Sequence, residues 1–136
     1  MVPTLGEFEG EWTVARRIVD RLGPEARFEG VARFSRAGTG LLYREEGELF
    51  VGGGQGFHAE RSYFWHPGEG GRIAVDFGDG RAFHDFDPAE PAGRHHCGDD
   101  DYAVRYDFSH WPEWRAEWVV KGPRKDYTLT SRYRRR

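Results

Sequence analysis

Along most of this chain apolar and polar residues alternate, the period-two pattern of strands with one face turned to a core. In residues 8–20, Phe8, Trp12, Val14 and Ile18 share one side. Residues 26–36 align Ala26, Phe28, Ala32 and Phe34, and residues 40–51 align Leu41, Tyr43, Leu49 and Val51. Residues 57–66 follow with Phe57, Ala59, Tyr63 and Trp65, and 72–77 with Ile73, Val75 and Phe77. The stretch 81–87 is ambiguous, because Phe83 and Phe86 have opposite parity. The pattern then returns in 101–108 (Tyr102, Val104, Tyr106, Phe108), 113–120 (Trp114, Ala116, Trp118, Val120) and 126–134 (Tyr127, Leu129, Tyr133).

Turn residues separate nearly all of these runs. Gly23-Pro24, Gly38-Thr39-Gly40, Pro67-Gly68, Gly78-Asp79-Gly80 and Gly122-Pro123 supply the backbone angles that tight reversals need. One helical turn is expected within Pro3–Glu9 and no longer helix. Many short strands at regular spacing describe an all-β sandwich or barrel, and closure into a barrel removes exposed edges. The expected fold is an antiparallel up-and-down β-barrel of 8–10 strands, one domain over residues 1–136. Nine strands are visible, whereas a closed antiparallel meander needs an even number. A further strand inside 88–100, or a strand outside the barrel, would resolve this.

Composition adds that the core is built from few, large side chains. Hydrophobic residues are 38% of the chain, but aromatics are 15%, and each aromatic removes much surface from water. Net charge is -3 with the signs interspersed, so no nucleic-acid footprint is expected. The four arginines of the closing SRYRRR read as a solvated strand end, or else as a contact for an acidic partner. Cys97 is the single cysteine, which excludes an internal disulfide. No apolar run has membrane-spanning length, and MVPTLGEFEG lacks the pattern of a signal peptide. A cytoplasmic protein is expected.

Gly10-Glu11-Trp12 on the first strand is similar to the Gly-x-Trp signature of lipocalins. That resemblance implies that Trp12 packs at one barrel end beneath a basic residue of the last strand, with Arg132 as the counterpart. The whole chain resembles a bacterial domain-of-unknown-function family with a lipocalin-like barrel. The stretches that carry it are FEGEW, LLYREEGEL, ERSYFW, FGDGRAFHDF, HHCGDDDYAVRYDF and KGPRKDYTLTSRYRR. It implies the fold and a ligand pocket, without a reaction.

In a small barrel one face of each strand lines the lumen. By that parity Arg16, Glu45 and Arg61 point inward. Buried charges persist only when paired, hydrated or bound to a ligand. A structural ion-pair network of the three is one reading. The other is an anion site: two arginines against one glutamate leave the lumen positive, and a carboxylate or phosphate would complete the pairing. His84 has the parity of Phe86 and is either a core histidine or a chemical group. Tyr43, Tyr63, Tyr102, Tyr106, Tyr127 and Tyr133, with Ser131, Trp65, Trp114 and Trp118, would complete an aromatic pocket with few polar anchors.

RHHCGDDDY at 94–102 crowds His95, His96 and Cys97 into the longest connection. Neighbouring side chains converge poorly on one ion, so a metal there would need His66 or His84 as well. Nucleophilic catalysis by Cys97 meets the same objection. Meander topology places the 88–100 segment beside Pro67–Gly71, and beside Gly122–Lys125 if no extra strand intervenes; there it would cover one mouth as a lid or, since the resemblance makes the Trp12 end the closed one, act as a plug. GGGQG at 52–56 lacks the Lys-Ser/Thr of a phosphate loop. Lys125 is turn chemistry or a gate at one mouth.

The function expected is binding of a small, mostly apolar, anionic ligand, with Arg16 and Arg61 on the anion and Glu45 orienting them. No cofactor is required. An alternative is a barrel isomerase, lyase or hydrolase in which His84, Glu45 and a tyrosine move protons. Haem held by a histidine is a third reading.

Overall fold

The computed structural model describes residues 2–136. Among them ten antiparallel strands follow one another: β1 (Gly10–Asp20), β2 (Ala26–Ala37), β3 (Gly40–Val51), β4 (Gly56–Pro67), β5 (Ile73–Phe77), β6 (Ala82–Phe86), β7 (Ala92–Cys97), β8 (Asp100–His110), β9 (Glu113–Gly122) and β10 (Lys125–Arg135). Their spatial order is β6-β5-β4-β3-β2-β1-β10-β9-β8-β7. The sheet curls into a barrel that is nearly closed. β6 and β7 meet at the seam without a continuous ladder: Gly93 approaches the Asp85 carbonyl, and Asp87 and Glu90 form an isolated bridge.

The tenth strand is β7, and it restores the even count. It also corrects the placement of 88–100. Asp87–Pro91 turn at the Trp12 end, but β7 then climbs the wall, so His95, His96 and Cys97 stand at the opposite, open end. The Gly122–Lys125 turn lies at that open end too. Polar residues alternate poorly with glycine and histidine in AGRHHC, and the strand has no apolar stripe to announce it.

One end is sealed from within. Leu5–Phe8 form a 3-10 turn that drops Phe8, fully buried, onto Phe34, Trp65, Phe108, Trp111 and Trp114. Trp12 Nε1 donates to the Phe8 carbonyl at 2.9 Å. The basic residue over Trp12 is Arg135, whose guanidinium carbon lies 3.9 Å from the ring centroid. Arg135 Nη1 donates to the Glu9 carbonyl at 2.7 Å, and Nη2 to that of Glu7. Arg132 is therefore corrected. It has the opposite parity to Ser131, Tyr133 and Arg135, and it faces outward, 3.8 Å from Glu113.

The inward stripes match the alternation: Trp12, Val14, Phe28, Ala32, Phe34, Leu41, Tyr43, Trp65, Val104, Trp114 and Tyr133 are all buried. Val51 and Phe57 are exceptions, 41% and 62% exposed, because both stand where the strands overrun the core at the open end. β2 and β3 approach closely where Gly30 and Gly47 face each other. A Cβ on Gly47 would collide with the Glu29 carbonyl and lie 2.5 Å from Gly30 Cα, so the approach of the two backbones requires glycine. A register shift between Val75 and Asp76 resolves the parity conflict of 81–87: it lets both Phe83 and His84 reach the lumen. Among the described residues no helix is long and apolar enough to cross a membrane.

Candidate functional site

The barrel encloses a cavity of about 460 Å³ that opens opposite Trp12. Nine of the ten residues expected to meet a ligand line it: Arg16, Tyr43, Glu45, Arg61, Tyr63, His84, Tyr102, Tyr106 and Trp118. Tyr127 lies beside the cavity rather than on its wall, half-buried near Tyr102 and Lys125. Phe77 and Phe83 join the wall, stacked on each other at 4.3 Å, with Trp118 stacked on Phe83 at 4.9 Å. The bulge hid Phe83 from a parity count. Tyr133 was legible by parity; only the fold shows its role, stacked 3.8 Å from Trp114 and bonded into the charged network.

That network is the polar pole of the cavity. Arg16, from β1, forks onto Glu45, from β3: Nη1 to Oε2 at 2.7 Å and Nη2 to Oε1 at 2.9 Å. Arg16 Nε donates to Ser131 Oγ at 2.7 Å. The Tyr43 hydroxyl donates to Glu45 Oε1 and accepts from the Tyr133 hydroxyl at 2.9 Å. Every nitrogen of Arg16 is thus engaged. Arg61, from β4, stands nearer the mouth with 43% of its side chain exposed. Its Nε lies 3.2 Å from Glu45 Oε2 and its Nη1 donates to the Tyr63 hydroxyl at 3.3 Å. Its Nη2 makes no hydrogen bond among the described residues, so Arg61 is the guanidinium with a face turned to the cavity.

The electrostatics follow from burial and pairing. Burial alone would raise the Glu45 carboxyl, but the Arg16 hydrogen bonds and the charges of Arg16 and Arg61 hold it below the usual carboxylate range. Burial raises the Tyr43, Tyr106 and Tyr133 phenols, so all three stay protonated at neutral pH. The His84 imidazole is pushed down to about 3, by burial first and then by the nearby His95. His84 Nε2 meets the Tyr106 hydroxyl at 2.9 Å, while Nδ1 is buried with no partner among the described residues.

At the mouth, β7 sends His95 inward against Phe77, Phe83 and Tyr102, while His96 lies near Asp101. Cys97 is exposed at the rim. Successive side chains of a strand leave on opposite sides, so His95, His96 and Cys97 do not converge on one point. The His/Glu group that does gather is Glu46, His58 and Glu60, exposed on the outer wall. Lys125 reaches over Gly122 to Asp100 at 3.1 Å and donates to the Tyr102 hydroxyl at 2.8 Å; these bonds raise its ammonium further above its ordinary range. A side chain at position 122 would run into Asp100, so the glycine makes room for this strap.

Barrel, plugged end and internal cavity together define a lipocalin-like fold. The chain belongs to DUF6314, a family of unknown function, whose profile matches residues 8–135. No curated protein matches it significantly in sequence. Its structure is similar to that of the S-type phycobiliprotein lyase CpeS from Guillardia theta, with a TM-score of 0.66 over 98% of this chain and 93% of that one. Sequence identity is 10%, so this likeness is one of fold.

Proposed function

We propose that the protein binds a small, mostly apolar molecule with an anionic group inside the barrel, the anion on Arg61 and the Tyr63 hydroxyl. The observation that carries this reading is Arg61 itself: a guanidinium on the wall of a largely aromatic cavity whose one carboxylate neighbour among the described residues, Glu45, is already matched by Arg16. Arg16 stands behind Glu45 and fixes it, and Glu45 in turn holds Arg61 Nε. The cavity volume falls within the usual range of small-molecule sites. That a phycobiliprotein lyase uses the same barrel is in keeping with a working interior. Native mass spectrometry of freshly purified protein, followed by calorimetric titration with octanoate, tests the reading. Retained or added anion bound in the wild type, and lost in Arg61→Gln, is the expected result. A lumen that takes up neither would end it.

A second reading, proton-transfer catalysis, is favoured by His84. Its buried Nδ1 has no hydrogen-bond partner among the described residues and so has no structural duty on that side, although the low pKa makes the imidazole a weak base. Glu45 is the weaker acid–base candidate, since both its oxygens are occupied. A His84→Asn variant that keeps ligand affinity but loses turnover would distinguish catalysis from binding.

A further inference from the structure

Resting on that reading, we propose that the lumen selects singly charged anions over doubly charged ones, and that the buried Glu45 sets the choice. The argument is a charge count. Among the described residues the arginine, lysine and carboxylate side chains on the cavity wall are Arg16, Arg61, Glu45 and Arg81, with the histidines, tyrosines and Cys97 counted as neutral. Arg81 stands at the rim, three-quarters exposed, with its own carboxylate: its Nε lies 2.8 Å from Asp79. Lys125, also at the mouth, is matched by Asp100. Inside remain two guanidiniums and one carboxylate, a surplus of one positive charge.

A carboxylate or a sulfate ester cancels that surplus. A phosphate monoester carries about 1.5 to 2 negative charges near pH 7 and leaves an unmatched negative charge against the rings of Trp65, Phe77, Phe83 and Trp118. Unpaired charge in such surroundings is strongly disfavoured. The donors agree with the count. Among the described residues Arg61 has one nitrogen, Nη2, in neither a hydrogen bond nor the Glu45 ion pair, and Tyr63, which accepts from Arg61, still has its own hydroxyl hydrogen to give. Two donors suit the two oxygens of a carboxylate. Arg16 cannot turn to help, because Ser131 and Glu45 hold its three nitrogens. Were Glu45 neutral, the interior would carry two positive charges and match a dianion instead.

Matched eight-carbon probes at pH 8 test this on the full chain by calorimetry: octanoate, octyl sulfate, octyl phosphate and 1-octanol. Octyl sulfate and octyl phosphate share a tetrahedral head and differ in charge. Octanoate and octyl sulfate are expected to bind comparably, and octyl phosphate at least about ten-fold more weakly. In Glu45→Gln the order of the sulfate and phosphate should reverse. Octyl phosphate binding the wild type as tightly as octyl sulfate overturns the proposal, and so does an unchanged order in a folded Glu45→Gln. If that variant does not fold, Arg61→Gln takes its place. Its interior is neutral, so 1-octanol should bind at least as well as octanoate, and a retained preference for octanoate overturns the charge count. If no probe binds the wild type, the lumen-binding reading itself falls; a wrong order among bound anions sinks only the selectivity.

Discussion

Arg16 and Glu45, 29 residues apart in sequence, meet as a two-pronged ion pair with both side chains at most 5% exposed. Such a pair is strongly interdependent, because removing one partner strands the other's charge away from water. Arg16→Met or Glu45→Met is expected to cost about 3–5 kcal/mol in urea unfolding, whereas the double replacement should cost much less than the sum. Additive single effects would show that the two charges do not depend on each other.

His84 makes stability depend on pH in one direction. Its folded pKa, about 3, lies below its ordinary 6.5, so the unfolded chain takes up a proton that the folded protein refuses. Stability is therefore full above pH 6.5 and is lost as pH falls toward 3, at up to about 1.4 kcal/mol per pH unit. Glu45, also depressed, adds loss in the same direction only below its ordinary 4.5. Thermal melts between pH 7 and 5 should fall less steeply for His84→Asn than for the wild type. Equal slopes would mean that His84 titrates alike in both states.

Gly47 is the tightest backbone approach in the wall. Gly47→Ala has no space to relax into, since the atoms in the way are the Glu29 carbonyl and Gly30 Cα, not flexible side-chain ends. A loss of about 2 kcal/mol or more is expected, against about 0.5 kcal/mol for Gly53→Ala, where a Cβ meets open space. Chemical denaturation of the two variants side by side decides it.

Arg135 ties the last strand to the plug that seals the barrel. Arg135→Ala should lower stability by about 1–2 kcal/mol through lost hydrogen bonds to the Glu7 and Glu9 carbonyls and lost contact with Trp12. Arg132→Ala, on the outer face, should change it by less than about 0.5 kcal/mol. Denaturation midpoints report both. A larger effect at Arg132 would return the capping role to that residue.

Much of the barrel was legible because strand parity is local. Each of Arg16, Glu45 and Arg61 shares a face with large apolar neighbours on its own strand, and that was enough to bring all three to one interior. Parity failed where the local rule is interrupted. The bulge at Val75–Asp76 put Phe83 on the lumen wall, and the apolar-poor β7 was read as a loop, which sent His95, His96 and Cys97 to the wrong end.

Alternation and turn chemistry, properties of neighbours in sequence, were sufficient to determine an all-β antiparallel fold with two arginines and a glutamate on its inner face. The division of labour between those arginines was decided by the tertiary structure alone. Strand register sets which guanidinium reaches which oxygen, and those distances depend on pairings between strands far apart in the chain. They leave Arg16 enclosed by Glu45 and Ser131, and Arg61 open to the cavity.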